Sequence, residues 1–162
     1  MEDPLEYPPF VLKLEELARA AGVDEEALLA CFSDPPCEGL EISDTDEEGS
    51  LAFDLVDLLE TIGEETVLGW HWICQEVECS GPGADALHIA DDDRLVLTGE
   101  TLLDLATQVD QTIKGLFLAL PPGEANPVLA LRAVDSSWWE VWTQNDEIHD
   151  VMLGRFETAQ FM

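Results

Sequence analysis

Val128-Leu129-Ala130-Leu131-Arg132-Ala133-Val134 and Trp138-Trp139-Glu140-Val141-Trp142-Thr143, separated by Asp135-Ser136-Ser137, decide how the C-terminal half of this chain folds. Both runs are apolar or alternating over six or seven residues, and the three residues between them are turn formers, so they read as neighbouring antiparallel strands. Residues 116–120, ahead of a proline-rich loop, supply a third strand and complete a meander. Side chains alternate along a strand, so Trp138, Glu140 and Trp142 share one face while Trp139, Val141 and Thr143 share the other. Both faces then carry indole rings, and at least one ring is partly exposed.

Working outward, residues 145–156 form a helix behind the N-cap Asn145, with Ile148, Val151 and Met152 inward, and the tail 157–162 adds an edge strand. Upstream, a helix runs from the N-cap Thr98 to Lys114, with Leu102, Ala106, Val109 and Ile113 inward. Residues 87–89 and 95–97 flank the acidic turn Asp91-Asp92-Asp93 as a hairpin. Residues 70–79 alternate, placing His71, Ile73, Gln75 and Val77 on one side and Trp72, Cys74, Glu76 and Glu78 on the other. The N-terminal part is helical: residues 11–21, stopped by Gly22; a second helix from Asp24 carrying Ala27, Leu28, Cys31 and Phe32; and a third from Ser50 carrying Leu51, Leu55, Leu58 and Ile62. Residues 1–9 read as an extended arm and 33–49 as an acidic loop. The assembled order is α+β: an antiparallel sheet, ending in the meander, packed with helices and preceded by a small helical N-terminal part. Residues 1–63 make that helical subdomain and 64–162 the α+β body, together one compact unit.

Charge narrows the function. Thirty-six Asp and Glu oppose six Lys and Arg, a formal net charge of −30 over 162 residues, yet 46% of residues are apolar, so the chain folds. The first hundred residues hold 27 acids and three bases. Such a field repels nucleic acid and anionic lipid, whose binding begins with phosphate neutralisation, and it speeds encounters with basic proteins. No run of about 18 apolar residues spans a bilayer. The acidic start Met1-Glu2-Asp3-Pro4 lacks the basic and apolar regions of a secretory signal, so the expected location is the cytoplasm, with Cys31, Cys37, Cys74 and Cys79 as reduced thiols. Cys74 and Cys79 differ by an odd number of positions, which in a regular strand places them on opposite faces.

Residues 44–55 resemble the calcium loop of an EF-hand. Asp44, Asp46 and Glu48 stand at oxygen-ligand positions and Gly49 at the tight turn, which implies a metal set of Asp44, Asp46 and Glu48 with calcium as the ion. The closing position, a bidentate Glu in that family, is Leu55. Residues 14–32 resemble the helix-turn-helix of bacterial repressors, but the second helix would present Asp24, Glu25 and Glu26 to phosphates.

The function expected is therefore an acidic protein-interaction domain, of the inhibitor or immunity type, masking a basic surface of a partner protein. Candidate contacts are Asp44, Asp46, Glu47, Glu48, Asp91, Asp92, Asp93, Trp138 and Trp142, the two indoles because Trp is frequent among binding hot spots. No cofactor is called for. An enzyme or small-ligand binder with a cleft beside the sheet, near His71, Trp72 or Trp139, is the alternative reading, and a calcium-binding module is another.

Overall fold

A computed structural model describes residues 12–22, 24, 26, 38–122 and 127–162. The arm 1–9 and most of the expected second helix, with Cys31 and Cys37, lie outside the described residues. The elements are β1 (Leu12–Lys13), α1 (Leu14–Ala21), β2 (Gly39–Ile42), α2 (Leu55–Ile62), α3 (Glu64–Leu68), β3 (His71–Ser80), α4 (Ala84–Asp92), β4 (Leu95–Thr98), α5 (Gly99–Ala106), β5 (Gln111–Leu120), β6 (Leu129–Val134), β7 (Trp138–Thr143), α6 (Asp146–Arg155) and β8 (Gln160–Phe161). The strands form one antiparallel sheet in the order β1-β4-β3-β5-β6-β7-β2-β8, so the fold is α+β, as expected.

One face of the sheet carries the main core. Trp72, Leu97, Phe117, Leu131, Trp139 and Val141 meet Leu55, Leu58 and Leu59 of α2, Leu102 of α5 and Met152 of α6. The opposite face carries a smaller cluster, in which Leu14, Leu17 and Ala18 of α1 cover Ile73, Val96, Leu118, Leu120 and Ala130. Along β6 and β7 the opposite face continues past that cluster, through Arg132 and Trp138.

The meander, the final helix and the edge strand stand where their local patterns put them. Asn145 caps α6 by accepting from the amides of Glu147 and Ile148. Ile148 and Met152 are buried, but Val151 is exposed. Thr98 caps α5, accepting from the amide of Thr101. That helix stops at Ala106 and not at Lys114, because Gln111 begins a ladder with Ser80 that extends β5 to ten residues.

Three other expectations are corrected. Residues 87–89 belong to α4, whose Ala84, Leu87 and Ala90 recur three apart and are all buried, so no hairpin encloses Asp91 to Asp93. The third helix starts at Leu55, because Thr45 bridges Leu51 and Asp54 provides the cap: its carboxylate accepts from the Leu55 amide, while the Asp54 amide donates to the Asp57 carboxylate. The acidic loop contains β2, whose Leu40 and Ile42 are completely buried between β7 and β8.

β3 is also irregular. Its pairing with β5 shifts between Gln75 and Cys79, Glu76 takes a left-handed φ of 51°, and Asp91 accepts a 2.9 Å hydrogen bond from the Val77 amide. An inserted residue reverses the alternation that follows it. Val77 and Cys79 thereby join Trp72 and Cys74 on the core face, so the two thiols are not on opposite faces.

The β6–β7 turn is tight and strained. Asp135 and Ser136 both have positive φ, 48° and 59°, and the Ser137 amide donates to the Val134 carbonyl at 2.8 Å. This is the geometry that Asn-Gly adopts at least cost. Replacing Asp135→Asn together with Ser136→Gly is expected to raise stability by about 1 kcal/mol, read as a higher urea midpoint at unchanged slope. A lowered midpoint would show that the Ser136 hydroxyl contact to Gln111 matters more than the backbone strain.

Candidate functional site

The part of the opposite face over β6, β7 and β2 brings two indoles, two carboxylates and a guanidinium together. Alternation along β7 puts Trp138, Glu140 and Trp142 there, as the sequence pattern requires. Both indoles turn toward the acid between them: Trp138 Nε1 donates to Glu140 Oε2 at 3.1 Å, and Trp142 Nε1 to Oε1 at 3.0 Å. Burying a carboxylate costs several kcal/mol unless it is bonded, and these two donors are what permit Glu140 to be only 9% exposed. The antiparallel register sets Arg132 of β6 on one side of Glu140 and Glu41 of β2 on the other. Arg132 Nη1 lies 3.7 Å from Glu140 Oε1, with its side chain 58% exposed.

Trp142 lies over Gly39 of β2. A Cβ at Gly39 would stand 2.7 Å from the indole and 2.6 Å from the Met162 methyl, so the absence of a side chain is what lets the ring lie down and Met162 close over it. The other rings serve elsewhere. Trp72 and Trp139 are completely buried in the main core, and Trp70 packs edge-on against Trp72.

The acidic candidates divide by what already holds them. Asp44 accepts from the backbone amides of Glu157 and Thr158 and from the Thr158 hydroxyl, tying the loop to the segment before β8. Partial burial acts to raise its pKa, but the bonds from Thr158 and Glu157, helped by Arg155, outweigh it and hold the carboxyl below the ordinary aspartate value. Asp46 accepts from the amides of Glu48 and Ser50, while Glu47 and Glu48 are exposed. Asp91 holds the β3 bulge; Asp92 and Asp93 are exposed at the end of α4. Among the described residues, no three His, Cys, Asp or Glu side chains are grouped to hold a metal ion. Trp138 and Trp142 are thus the candidates that the fold brings together. Arg132, Glu140 and Glu41 complete their site.

Other polar features lie apart. A cleft of about 450 Å³ opens between the 50–57 segment and residues 109–112, floored by Asp54, whose carboxylate accepts from the Thr112 amide and hydroxyl. A smaller one of about 190 Å³ involves Lys13, Glu15, Asp92, Asp93 and Arg94. His71, Trp72 and Trp139 line neither. His149 is buried beneath Phe161 with its ring Nε2 unpartnered. No helix among the described residues is long and apolar enough to cross a membrane. No family model, curated protein or solved structure matches the chain.

Two outcomes follow from the titrating groups. A carboxyl depressed in the folded state contributes stability that is present above its unfolded pKa, about 3.9, and is lost as pH falls through the folded value. Hydrogen exchange at the Glu157 and Thr158 amides is therefore expected to accelerate below about pH 4, beyond the intrinsic pH effect, and Asp44→Asn should reproduce much of that acceleration at neutral pH. Equal protection in acid and in the variant would show that Asp44 does not anchor the tail. Burial first, and the nearby Asp54 charge second, push the Cys79 thiol up to about 11; burial raises Cys74 further. Both should react with thiol reagents at pH 8 far more slowly in the folded than in the unfolded protein, with Cys79 labelled ahead of Cys74 in the folded state when modified peptides are mapped; equal folded and unfolded rates would contradict this.

Proposed function

We propose that this protein is an acidic protein-interaction domain that covers a basic surface of another protein, as inhibitor and immunity-type proteins do, and that the Trp138–Glu140–Trp142 face of β6, β7 and β2 is its contact. The observation that carries this reading is the pairing of two partly buried indoles with a buried carboxylate on a chain of net charge −30. Indoles supply contact area at little entropic cost, a fixed carboxylate supplies a directed charge, and the surrounding field steers a cationic partner toward both. The exposed acids Glu47, Glu48, Asp92 and Asp93 contribute to that field. Asp44 and Asp91 have structural work in the folded chain and are not counted as contacts.

Steering by charge weakens with salt, and anchoring by rings does not. Capture from a lysate of the host, first at about 50 mM and then at about 500 mM salt, should retain one or a few basic proteins at low salt and lose most of them at high salt. Trp138→Ala with Trp142→Ala should weaken a captured complex by about 2 kcal/mol or more at fixed salt, measured by calorimetry. If the double variant binds the same protein as tightly as the parent, the contact lies on another face. If no basic protein is captured at low salt, the interaction reading itself fails.

A further inference from the structure

Arg132 and Glu140 face each other across β6 and β7, but their contact is loose. Both oxygens of Glu140 are fixed by indole N–H groups, so the carboxylate cannot swing to meet a cation. An ionised carboxylate has about four acceptor positions, and the indoles occupy two. The guanidinium of Arg132 stands 3.7 Å away, well outside the roughly 2.7–2.9 Å of a charge-assisted hydrogen bond, with its side chain mostly in solvent. Directly across on the other side stands Glu41, so this row of the sheet holds two carboxylates against one guanidinium. A buried carboxylate with unused acceptor positions, two flanking indoles and a surplus negative charge is complementary to one further planar cation.

Resting on the interaction reading above, we propose that the Trp138–Glu140–Trp142 pincer is a receptor for one arginine side chain of the basic partner, and that Arg132 occupies the site as a placeholder which the incoming arginine displaces. Arginine fits better than lysine because its planar fork can donate two parallel bonds to a fixed carboxylate and lie against an indole face, whereas an ammonium is a compact and strongly hydrated charge. Displacement is cheap for Arg132, which gives up no short hydrogen bond to Glu140 and is already mostly hydrated. Gly39 acts as a positioning residue, since any side chain there moves Trp142 and with it the second indole donor.

The test uses the full chain and two probes, a short capped Arg-Gly repeat peptide and its Lys-Gly twin, titrated while the indole N–H signals are followed by NMR. The arginine peptide should shift the Trp138 and Trp142 signals selectively and bind about tenfold tighter than the lysine peptide. Arg132→Ala should tighten the arginine peptide by about fivefold or more, while Lys114→Ala, which removes the same charge from another strand, should change it less than about twofold. Glu140→Gln, which keeps the shape, should abolish the preference for arginine. Equal affinity for the two peptides, or equal effects of the Arg132 and Lys114 variants, overturns the arginine site while the salt-dependent interaction stands. Failure of both peptides to bind at low salt overturns the arginine site, whereas the interaction reading it rests on falls only if no basic protein is captured.

Discussion

A charged group inside a protein must find partners there, and Glu140 is where this fold meets that constraint on the face opposite the main core. Its two oxygens are bonded by Trp138 and Trp142, residues placed two positions before and after it on the same face of β7. The acid therefore fixes both rings as much as the rings shelter the acid. The bare Cα of Gly39 provides the floor for one ring, and Met162, just beyond β8, lies against the same glycine. Alternation in three strands, one glycine and one carboxylate thus build a single surface.

That surface exists because, among the described residues, the sheet is covered unequally. On one face, α2 to α6 seal the main core against solvent. On the other, α1 covers Ile73, Val96, Leu118 and Leu120 over β3, β4 and β5, and the polar row Arg132–Glu140–Glu41 lies over β6, β7 and β2. Three of the acids are structural at short range. Asp54 joins α2 to β5, Asp44 joins the loop to the tail, and Asp91 holds the bulge. The remaining exposed carboxylates act at long range, through a field that favours cationic partners.

Elements whose signals are local were legible in the sequence. The meander, its turn, the caps Thr98 and Asn145 and the edge strand all follow from patterns within a few residues, and so does the grouping of Trp138, Glu140 and Trp142. The rest depended on distant partners. Gly39-Leu40-Glu41-Ile42 does alternate, but it lies among acids, and only burial between β7 and β8 makes it a strand; missing it hid Glu41 and Gly39 from the site. Arg132 was hidden for a milder reason, since its place beside Glu140 follows only once the turn is set at Asp135-Ser136. Three acids at the end of α4 run against the helix dipole and resemble a turn, and the helix persists because Leu87 and Ala90 are buried. The β3 bulge needed Asp91, fourteen residues away, and without it the faces of Val77 and Cys79 come out reversed.

The central claim is that recognition is localised at one fixed carboxylate between two indoles and is not a property of diffuse charge. The direct measurement compares two charge-altered proteins for affinity to one captured basic partner at constant salt: Glu140→Gln alone, and Glu47→Gln with Glu48→Gln and Asp92→Asn. Localised recognition predicts that the single substitution weakens binding more than the triple one, although it removes less charge. A larger loss in the triple variant would contradict it.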